Sequence, residues 1–568
     1  MVYFLAHRNV LFVFALATAM TLSAPRVAAQ GGEPPSFAIR GAKVVPVSGL
    51  PIDGATVVVS RGIITAVGKD VPIPPEAWVI EGKGLVVYPG LIDSLTDVGI
   101  PPAAPAGPPS SAGQGGGPRT AQLQALAVVS RGPEDRPNTT PWRSAADEAS
   151  VNDKRLETWR GAGFTTVICS PTGGYFPGTS AVIETAGERS GDLVVKPEVA
   201  IPVSLNPLGG FANFPGSLMG VLSYVHQVWL DTGWYRQAEA GYDKSPRGRA
   251  RPTYDRTAIA LAAALDAKTI VLIPANNTVQ LRRALGLPAL WKVSGVIYGA
   301  QMAYEMAPEI AAGKMPVLVN LQWPEKPKDA DPDEPSPLRA LRFRDRAPSS
   351  PAELAKAGVK FAFYSGGITA PKDILKSAKK AIDAGLSTDD ALRAMTLAPA
   401  EIFGVADRLG SIETGKIANL VVADGDIFDE KTKIKFVFVD GRRFETREPS
   451  RPSEPPKGDL TGKWKLSYNT PEGPQESTAD LTMSADGTLS GTVTSTRGTA
   501  TIISGYVSAE KFSFTINIPM GGGTSDITFS GTFEGTSMKG SISVGGFNVD
   551  FTGARPGGGR AISLGGAQ

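Results

Sequence analysis

The stretch AGLSTDDALRAMTLAPAEIFGVADRLGSIETGKIANLVVADGD, residues 384–426, changes character along its length. It begins as a helical segment, passes through a Thr-x-x-Pro-Ala turn at 396–400 and ends in IANLVVAD, a short apolar run typical of a strand. A second strand pattern, IKFVFVDGRRFE, continues to Glu445. The stretch therefore marks the point where a region containing helices returns to β-structure.

A matching strand pattern lies near the other end of the chain. Short apolar runs fill residues 37–87, and turn residues such as Gly49, Pro51, Gly62 and Gly68 separate them. Two clusters of strands on either side of a long middle region can pair into one small β domain. We therefore predict a domain made from residues 30–88 and 406–446, with a larger domain inserted between them.

The middle region, residues 89–405, alternates apolar runs with helical patterns. The runs include FTTVICS, TIVLIPA, GVIYGA, MPVLVN and VKFAFYS, and helical patterns include RTAIALAAALDA and KDILKSAKKAIDAG. Buried strands alternating with amphipathic helices predict a parallel sheet, either a barrel or a doubly wound sheet. Long Pro-, Gly- or charge-rich stretches interrupt it at 100–119, 237–252 and 323–351, and these we expect to be loops.

Composition changes again after residues 447–457, which have the Pro-rich, charged character of a linker. Residues 458–555 are rich in Thr, Ser and Gly and contain strand-length pieces separated by turn signals. This pattern predicts an all-β antiparallel domain, a small barrel or a sandwich. Residues 556–568 are Gly-rich, and we expect them to be disordered.

The N-terminus has the layout of a secretory signal peptide. A basic residue, Arg8, precedes an apolar stretch and then small residues up to Ala29, so residues 1–29 predict export to the periplasm or secretion. An uncleaved N-terminal anchor is the alternative. After removal of this segment we expect no transmembrane span. The net charge of +2 in 568 residues does not indicate nucleic acid or an anionic membrane as partner.

Taken together, residues 37–446 resemble the amidohydrolase superfamily, in particular its imidazolonepropionase-like branch. The stretches VSRGIITAVG, GKGLVVYPGLID, GAGFTTV, residues 384–426 and VFVDGRRF carry the resemblance. It implies a (β/α)8 TIM-type barrel inserted in a small composite β-sandwich, with the active site at the C-terminal ends of the barrel strands. It also implies zinc or a similar ion that activates water for hydrolysis.

The positions that the resemblance assigns to metal ligands carry other residues. Leu95 and Asp97 stand where a His-x-His pair follows the first barrel strand. Later strands offer Asn276 and Ser294 where histidines are expected, and Gly366 follows Ser365 where an aspartate is expected. Lys196 is the one candidate for a bridging lysine. The chain has two histidines, His7 and His226, and the first lies in the predicted signal peptide. We therefore predict no metal cofactor.

The candidate site residues lie at the predicted strand ends. Asp93 and Asp97 are spaced as a possible acid/base pair, although a strand-end cap and a solvated loop residue are the simpler interpretations. Small polar residues at these ends, Ser94, Thr96, Asn276 and Ser365, could bind a small polar molecule. Cys169 is predicted to be a buried strand residue, and His226 a packed helical one.

Two hypotheses for function follow. In the first, an exported amidohydrolase-fold protein has lost metal-dependent hydrolysis and binds a small polar ligand or a protein partner. In the second, an active amidohydrolase cleaves non-peptide C–N bonds through a non-standard metal site or through Asp93 and Asp97. By resemblance alone, a homodimer is possible. The opening LTGKWKLS of the C-terminal domain resembles the lipocalin-like barrel, where such a tryptophan packs beneath a terminal basic residue.

Overall fold

The computed structural model describes residues 36–102, 136–208, 215–326, 335–445 and 454–555, with two-residue gaps after 470, 484, 495, 520 and 544. The predicted signal peptide and the predicted C-terminal tail lie outside these residues, as does much of the predicted linker. The chain forms two compact units, residues 1–446 and 447–568.

Both ends of the first unit contribute to one eight-stranded sheet. Its strands are β1 (Phe37–Val44), β2 (Ile52–Ser60), β3 (Ile63–Gly68), β4 (Trp78–Glu81), β5 (Val86–Pro89), β14 (Leu420–Ala423), β15 (Ile434–Val439) and β16 (Arg442–Glu445). The order is β16-β15-β14-β5-β1-β2-β3, and β4 pairs with β1. The rings of Phe37 on β1 and Phe438 on β15 lie 5.4 Å apart, so the sheet folds over its own apolar core.

A second eight-stranded sheet forms the inserted barrel. Its strands are β6 (Leu91–Thr96), β7 (Phe164–Cys169), β8 (Ser180–Glu184), β9 (Val194–Pro202), β10 (Ile270–Ala275), β11 (Gly295–Gly299), β12 (Val317–Asn320) and β13 (Phe361–Tyr364). They follow one another in space as they do in sequence, and β13 lies beside β6 so that the barrel nearly closes. All five apolar runs predicted as strands are strands here.

The barrel is not the regular all-parallel one that we predicted. Strand β8 runs antiparallel to both β7 and β9, and the other paired neighbours are parallel. The connection from β7 to β8 is the ten-residue stretch SPTGGYFPGT, and the connection from β8 to β9 does not exceed that length. A parallel crossover needs a dozen or more residues, so these short links force the chain to reverse direction.

Helices surround the barrel on its remaining connections, and some of them extend into the stretches at 237–252 and 323–351 that we predicted to be loops. They are α1 (Ala145–Glu148), α2 (Arg155–Gly161), α3 (Leu218–Lys244), α4 (Arg256–Asp266), α5 (Thr278–Trp291), α6 (Ala307–Ala312), α7 (Leu338–Arg346), α8 (Ser350–Lys356), α9 (Pro371–Asp383), α10 (Thr388–Ala394) and α11 (Leu397–Ile402). In the stretch at 384–426, the Ser387 hydroxyl begins α10 by accepting the Asp390 amide hydrogen at 3.0 Å. Among the described residues no helix is long and apolar enough to cross a membrane.

The second unit is a closed antiparallel barrel, one of the two forms predicted. Its strands are β17 (Gly462–Thr470), β18 (Gly473–Met483), β19 (Leu489–Ser495), β20 (Gly498–Ser508), β21 (Lys511–Met520), β22 (Gly523–Glu534), β23 (Ser537–Val544) and β24 (Phe547–Ala554). Trp464 is fully buried in its core and donates its indole N–H to the Leu460 carbonyl at 2.9 Å. The Arg555 guanidinium lies 4.7 Å from the centre of that indole ring, an arrangement that the lipocalin-like resemblance implied, although that resemblance itself stays a prediction.

Candidate functional site

A cavity of about 460 Å³ opens at the C-terminal ends of the barrel strands. We call it the mouth cavity. Thr96, Ser170, Pro202, Tyr298 and Ser365 line it, and they lie at or just after the ends of β6, β7, β9, β11 and β13. Its position is therefore the one where barrels of this kind place their active sites.

The lining of the mouth cavity is mostly uncharged. Hydroxyl groups alternate with apolar surface from Leu95, Val98, Pro171, Pro177, Pro202, Val203, Leu208 and Ile368. The hydroxyls come from Thr96, Ser170, Thr172, Ser204, Tyr298, Ser365 and Thr369. The charged side chains among the described lining residues are Asp97 and Arg155, and they form an ion pair at 2.9 Å. Such a surface suits an uncharged molecule with a few polar groups.

Asp93 is buried beneath the cavity and does not line it. Its side chain accepts hydrogen bonds from the Trp159 indole N–H at 3.1 Å and from the Ser365 backbone N–H at 3.0 Å. Because it is only 1% exposed, burial raises the pKa of the Asp93 carboxyl, although the bonds from Ser365 and Trp159 oppose that shift. The bond to Ser365 spans the seam between β6 and β13, so Asp93 acts as a structural tie of the barrel.

Asp97 is held by a different set of contacts. Its carboxylate accepts from Arg155 Nη1 at 2.9 Å, and its carbonyl accepts from Arg155 Nη2 at 3.0 Å. Arg155 also donates to Asp153 at 2.8 Å and to the Ile100 carbonyl at 2.6 Å. The Asp97 side chain is 48% exposed while Asp93 is buried, so the structure does not bring the two carboxylates together as an acid/base pair.

The structure separates the four candidate ligand-binding residues into two groups. Thr96 and Ser365 line the mouth cavity. Ser94 is fully buried in β6, its hydroxyl has no hydrogen-bond partner, and it does not line the cavity. Asn276 is exposed beyond the end of β10, where its backbone N–H donates to Gln280 at 2.7 Å, and it too lies outside the lining.

The residues present do not fit the metal centre that the resemblance implies. Leu95 packs against the apolar interior of the barrel, and Asp93 and Asp97 already accept hydrogen bonds from protein donors. Among the residues that the structure describes, no three His, Cys, Asp or Glu side chains lie close enough to hold an ion. Zinc sites in proteins use at least three such ligands.

The other two residues considered as ligands lie away from the cavity. Lys196 is near the start of β9, at the opposite end of the barrel, and its Nζ donates to the carbonyls of Phe403 and Gly404 at 3.2 and 3.0 Å. His226 lies within α3, where its Nδ1 is buried without a hydrogen-bond partner. Cys169 is a free, fully buried thiol in β7, as predicted, and burial raises its pKa.

Several lining residues escaped the sequence analysis. Tyr298 donates its hydroxyl to the Val203 carbonyl at 3.1 Å, and burial raises its pKa to about 12, so it stays a neutral donor. Trp159 gave no signal beyond a helical pattern. Gly173 and Gly174, in contrast, lie in a Gly- and Pro-rich stretch directly after β7, and turn residues at a strand end could have pointed to the cavity.

Comparisons with known proteins agree with this architecture. Residues 343–444 match the amidohydrolase family. The crystal structure of an amidohydrolase from Thermotoga maritima is 23% identical, covers 72% of this chain and 100% of its own, and superposes with a TM-score of 0.58. A Xaa-Pro dipeptidase with bound methionine is 15% identical over 72% of this chain and 100% of its own, with a TM-score of 0.42.

Phenylurea hydrolase B is likewise 15% identical, over 73% of this chain and 100% of its own, also with a TM-score of 0.42. No curated protein matches the sequence significantly. Since the first of these three structures has the one TM-score above 0.5, the likeness in fold rests on it. The chain therefore has the fold of an amidohydrolase, and its residues 343–444 match the amidohydrolase family.

Proposed function

We propose that this protein binds a small, uncharged polar molecule in the mouth cavity and has lost metal-dependent hydrolysis. The observation that carries the proposal is that the carboxylates of Asp93 and Asp97 already accept hydrogen bonds from protein donors. Asp93 is bound by Trp159 and Ser365, and Asp97 by Arg155. Protein donors therefore compete with an ion or a water molecule for the oxygens of both carboxylates. The fold keeps its cavity without a bound ion because strand and helix packing holds it.

The chemistry of the lining supports the ligand class. A charged ligand would have to break the Asp97–Arg155 pair or leave its own charge unpaired, both of which cost free energy. Hydroxyl groups such as those of Thr96, Ser170 and Thr369 can donate or accept. A neutral molecule with hydroxyl, amide or carbonyl groups would use them without any ion. From the signal-like N-terminus we further propose that the protein acts after export.

A competing function is hydrolysis of C–N bonds without the usual metal site. Its support is the buried Asp93 carboxyl directly beneath the cavity, because burial raises its pKa and so favours the protonated acid. Trp159 and Ser365 would have to move aside before this proton could reach a ligand. An amide or lactam hydrolysis activity that Asp93→Asn abolishes, in a variant that still folds, would favour this function over ours.

The first experiment is the metal content of residues 30–568, prepared without a histidine tag. We expect substoichiometric metal that dialysis removes. One or two tightly held ions per chain would overturn the proposal, because they would show that other ligands have rebuilt a metal centre.

Ligand binding is tested with a variant that fills the cavity. We expect native mass spectrometry of the protein incubated with a periplasmic extract to show a bound small molecule, and Thr172→Trp to remove it. Thr172 is an exposed lining residue. Thr388→Trp, an equally exposed position at the start of α10, is the matched control and should keep the ligand. Equal retention by both variants would place the ligand elsewhere.

A further inference from the structure

Helix α3 presents exposed apolar side chains along one side. Met219, Leu230 and Trp234 are 78%, 53% and 66% exposed. Their spacing of eleven and four residues places them on one face of the helix. The opposite face, with Val221, Val225 and Val228, is buried, and the helix packs against α4 and α5. Three large apolar residues aligned on the outside of a helix are more than the single exposures found on any protein surface.

A basic segment follows this helix directly. Residues 244–254, KSPRGRARPTY, contain Lys244, Arg247, Arg249 and Arg251 and no acidic residue, and all four cations are exposed. Arg249 folds back onto α3 and donates from Nη1 to the Gly241 carbonyl at 3.2 Å. Gly241 lies seven residues, or two turns, after Trp234, about 10 Å along the same face. The fold thus brings Arg249 back to the face of the helix that carries the exposed indole.

We propose that this surface, formed by Leu230, Trp234, Lys244, Arg247, Arg249 and Arg251, binds the surface of an anionic lipid bilayer. Clustered cations near an anionic bilayer each strengthen binding through the negative surface potential. Tryptophan and aliphatic side chains enter the boundary between headgroups and acyl chains. The protein would lie on the membrane through this surface.

The pairing of charge with apolar side chains favours a bilayer over nucleic acid. Nucleic acid can bind the cations and stack a base on an aromatic ring, but it has no apolar region that exposed Met219 and Leu230 could enter. The whole-chain charge of +2 does not oppose the inference, because it averages four local cations over 568 residues. Charges farther away than about 10 Å are largely screened at moderate salt, so the local charge balance decides. In that balance Glu239 and Asp243 lie near Arg251, while Asp255 is paired with Arg136 at 2.8 Å.

The test is co-sedimentation of residues 30–568 with vesicles of phosphatidylglycerol and phosphatidylcholine in equal amounts, compared with pure phosphatidylcholine. We expect binding to the anionic vesicles that weakens as salt is added. Each cation near such a surface changes partitioning about fivefold, so Arg247→Gln/Arg249→Gln/Arg251→Gln should weaken binding by roughly 100-fold. Trp234→Ser should weaken it several-fold at constant charge.

The control variant removes three exposed cations elsewhere in the first unit, Lys83→Gln/Lys372→Gln/Lys431→Gln. It should lose far less binding than the arginine variant, although its net charge falls by the same amount. Equal losses would show that net charge alone is responsible and would overturn the proposal. So would no binding to anionic vesicles, or binding to a single-stranded oligonucleotide in its place.

Discussion

Glu184 provides a sharp test of how the first unit is held together. It is the last residue of β8, only 4% exposed, and its Oε1 accepts from Asn419 Nδ2 at 3.0 Å. Asn419 precedes β14, and its Oδ1 accepts the Asp440 backbone N–H at 2.8 Å. The contact therefore joins the barrel to the first sheet. Burial, and secondarily the charge of Asp440, raise the pKa of Glu184 to about 8.

This raised pKa makes the stability of the first unit depend on pH. Glu184 has an ordinary pKa of 4.5 in the unfolded chain and one of about 8 in the folded chain, so folding takes up a proton between these values. Protonated Glu184 contributes its full stabilisation of the folded chain below pH 4.5, and this stabilisation is lost as pH rises through about 8. Each pKa unit is worth about 1.36 kcal/mol, so the loss at pH 7 is about 3 kcal/mol.

Glu184→Gln keeps the acceptor oxygen for Asn419 and removes the titration. We expect no change in the free energy of unfolding at pH 4 and a gain of about 3 kcal/mol at pH 7. The measurement is urea unfolding followed by tryptophan fluorescence at both pH values, and seven of the eight tryptophans lie before residue 446. Glu430→Gln, at an exposed position in the same unit, should stay within about 0.5 kcal/mol of the parent at both.

Two outcomes would refute the reasoning. A difference between Glu184→Gln and the parent that is the same at pH 4 and pH 7 would show that Glu184 does not change its proton affinity on folding. A loss of stability at pH 7 would show that the ionised carboxylate is the stabilising form and that the folded-state pKa lies below the unfolded one.

Three further substitutions test the contact between β6 and β13, the core of the second unit and the close approach of Gly90 to Thr165. Asp93→Ala should lower the free energy of unfolding of the first unit by about 2 kcal/mol, because it leaves the buried N–H donors of Trp159 and Ser365 without an acceptor. Asp97→Ala, at an exposed position, should cost under about 1 kcal/mol in the same unfolding assay. Trp464→Ala should cost the second unit about 3–5 kcal/mol, read from its thermal midpoint, and an unchanged midpoint would contradict its burial in the barrel core. Gly90→Ala should cost about 1–3 kcal/mol, because its new methyl group would meet the Thr165 hydroxyl at 2.0 Å. Thr165→Ala should restore only part of that loss, since the Cβ of residue 165 stays 2.7 Å from the new methyl group, and no rescue at all would disprove the clash.

Local patterns were enough to locate most of the elements. The runs at 164–169, 270–275 and 361–364 are strands because each is a short apolar stretch bounded by turn or polar residues, which is a property of neighbours in sequence. The helix at 371–383 follows from its 3.6-residue repeat. The antiparallel strand β8 was not predicted, because the direction of a strand depends on which strands meet in space.

The sequence by itself determined the amidohydrolase-type order of elements, the separate antiparallel C-terminal domain and the lack of histidine at the expected ligand positions. Apolar periodicity and residue type need no long-range information. Tertiary structure alone decided that Asp93 ties β6 to β13 and that Asp97 forms an ion pair with Arg155. It likewise decided that Thr96 and Ser365 line the cavity while Ser94 and Asn276 do not. It also decided that Arg249 returns to the face of Trp234. Each of these depends on which side of a strand or helix a side chain leaves and on partners as many as 272 residues away in sequence, and no local pattern encodes that.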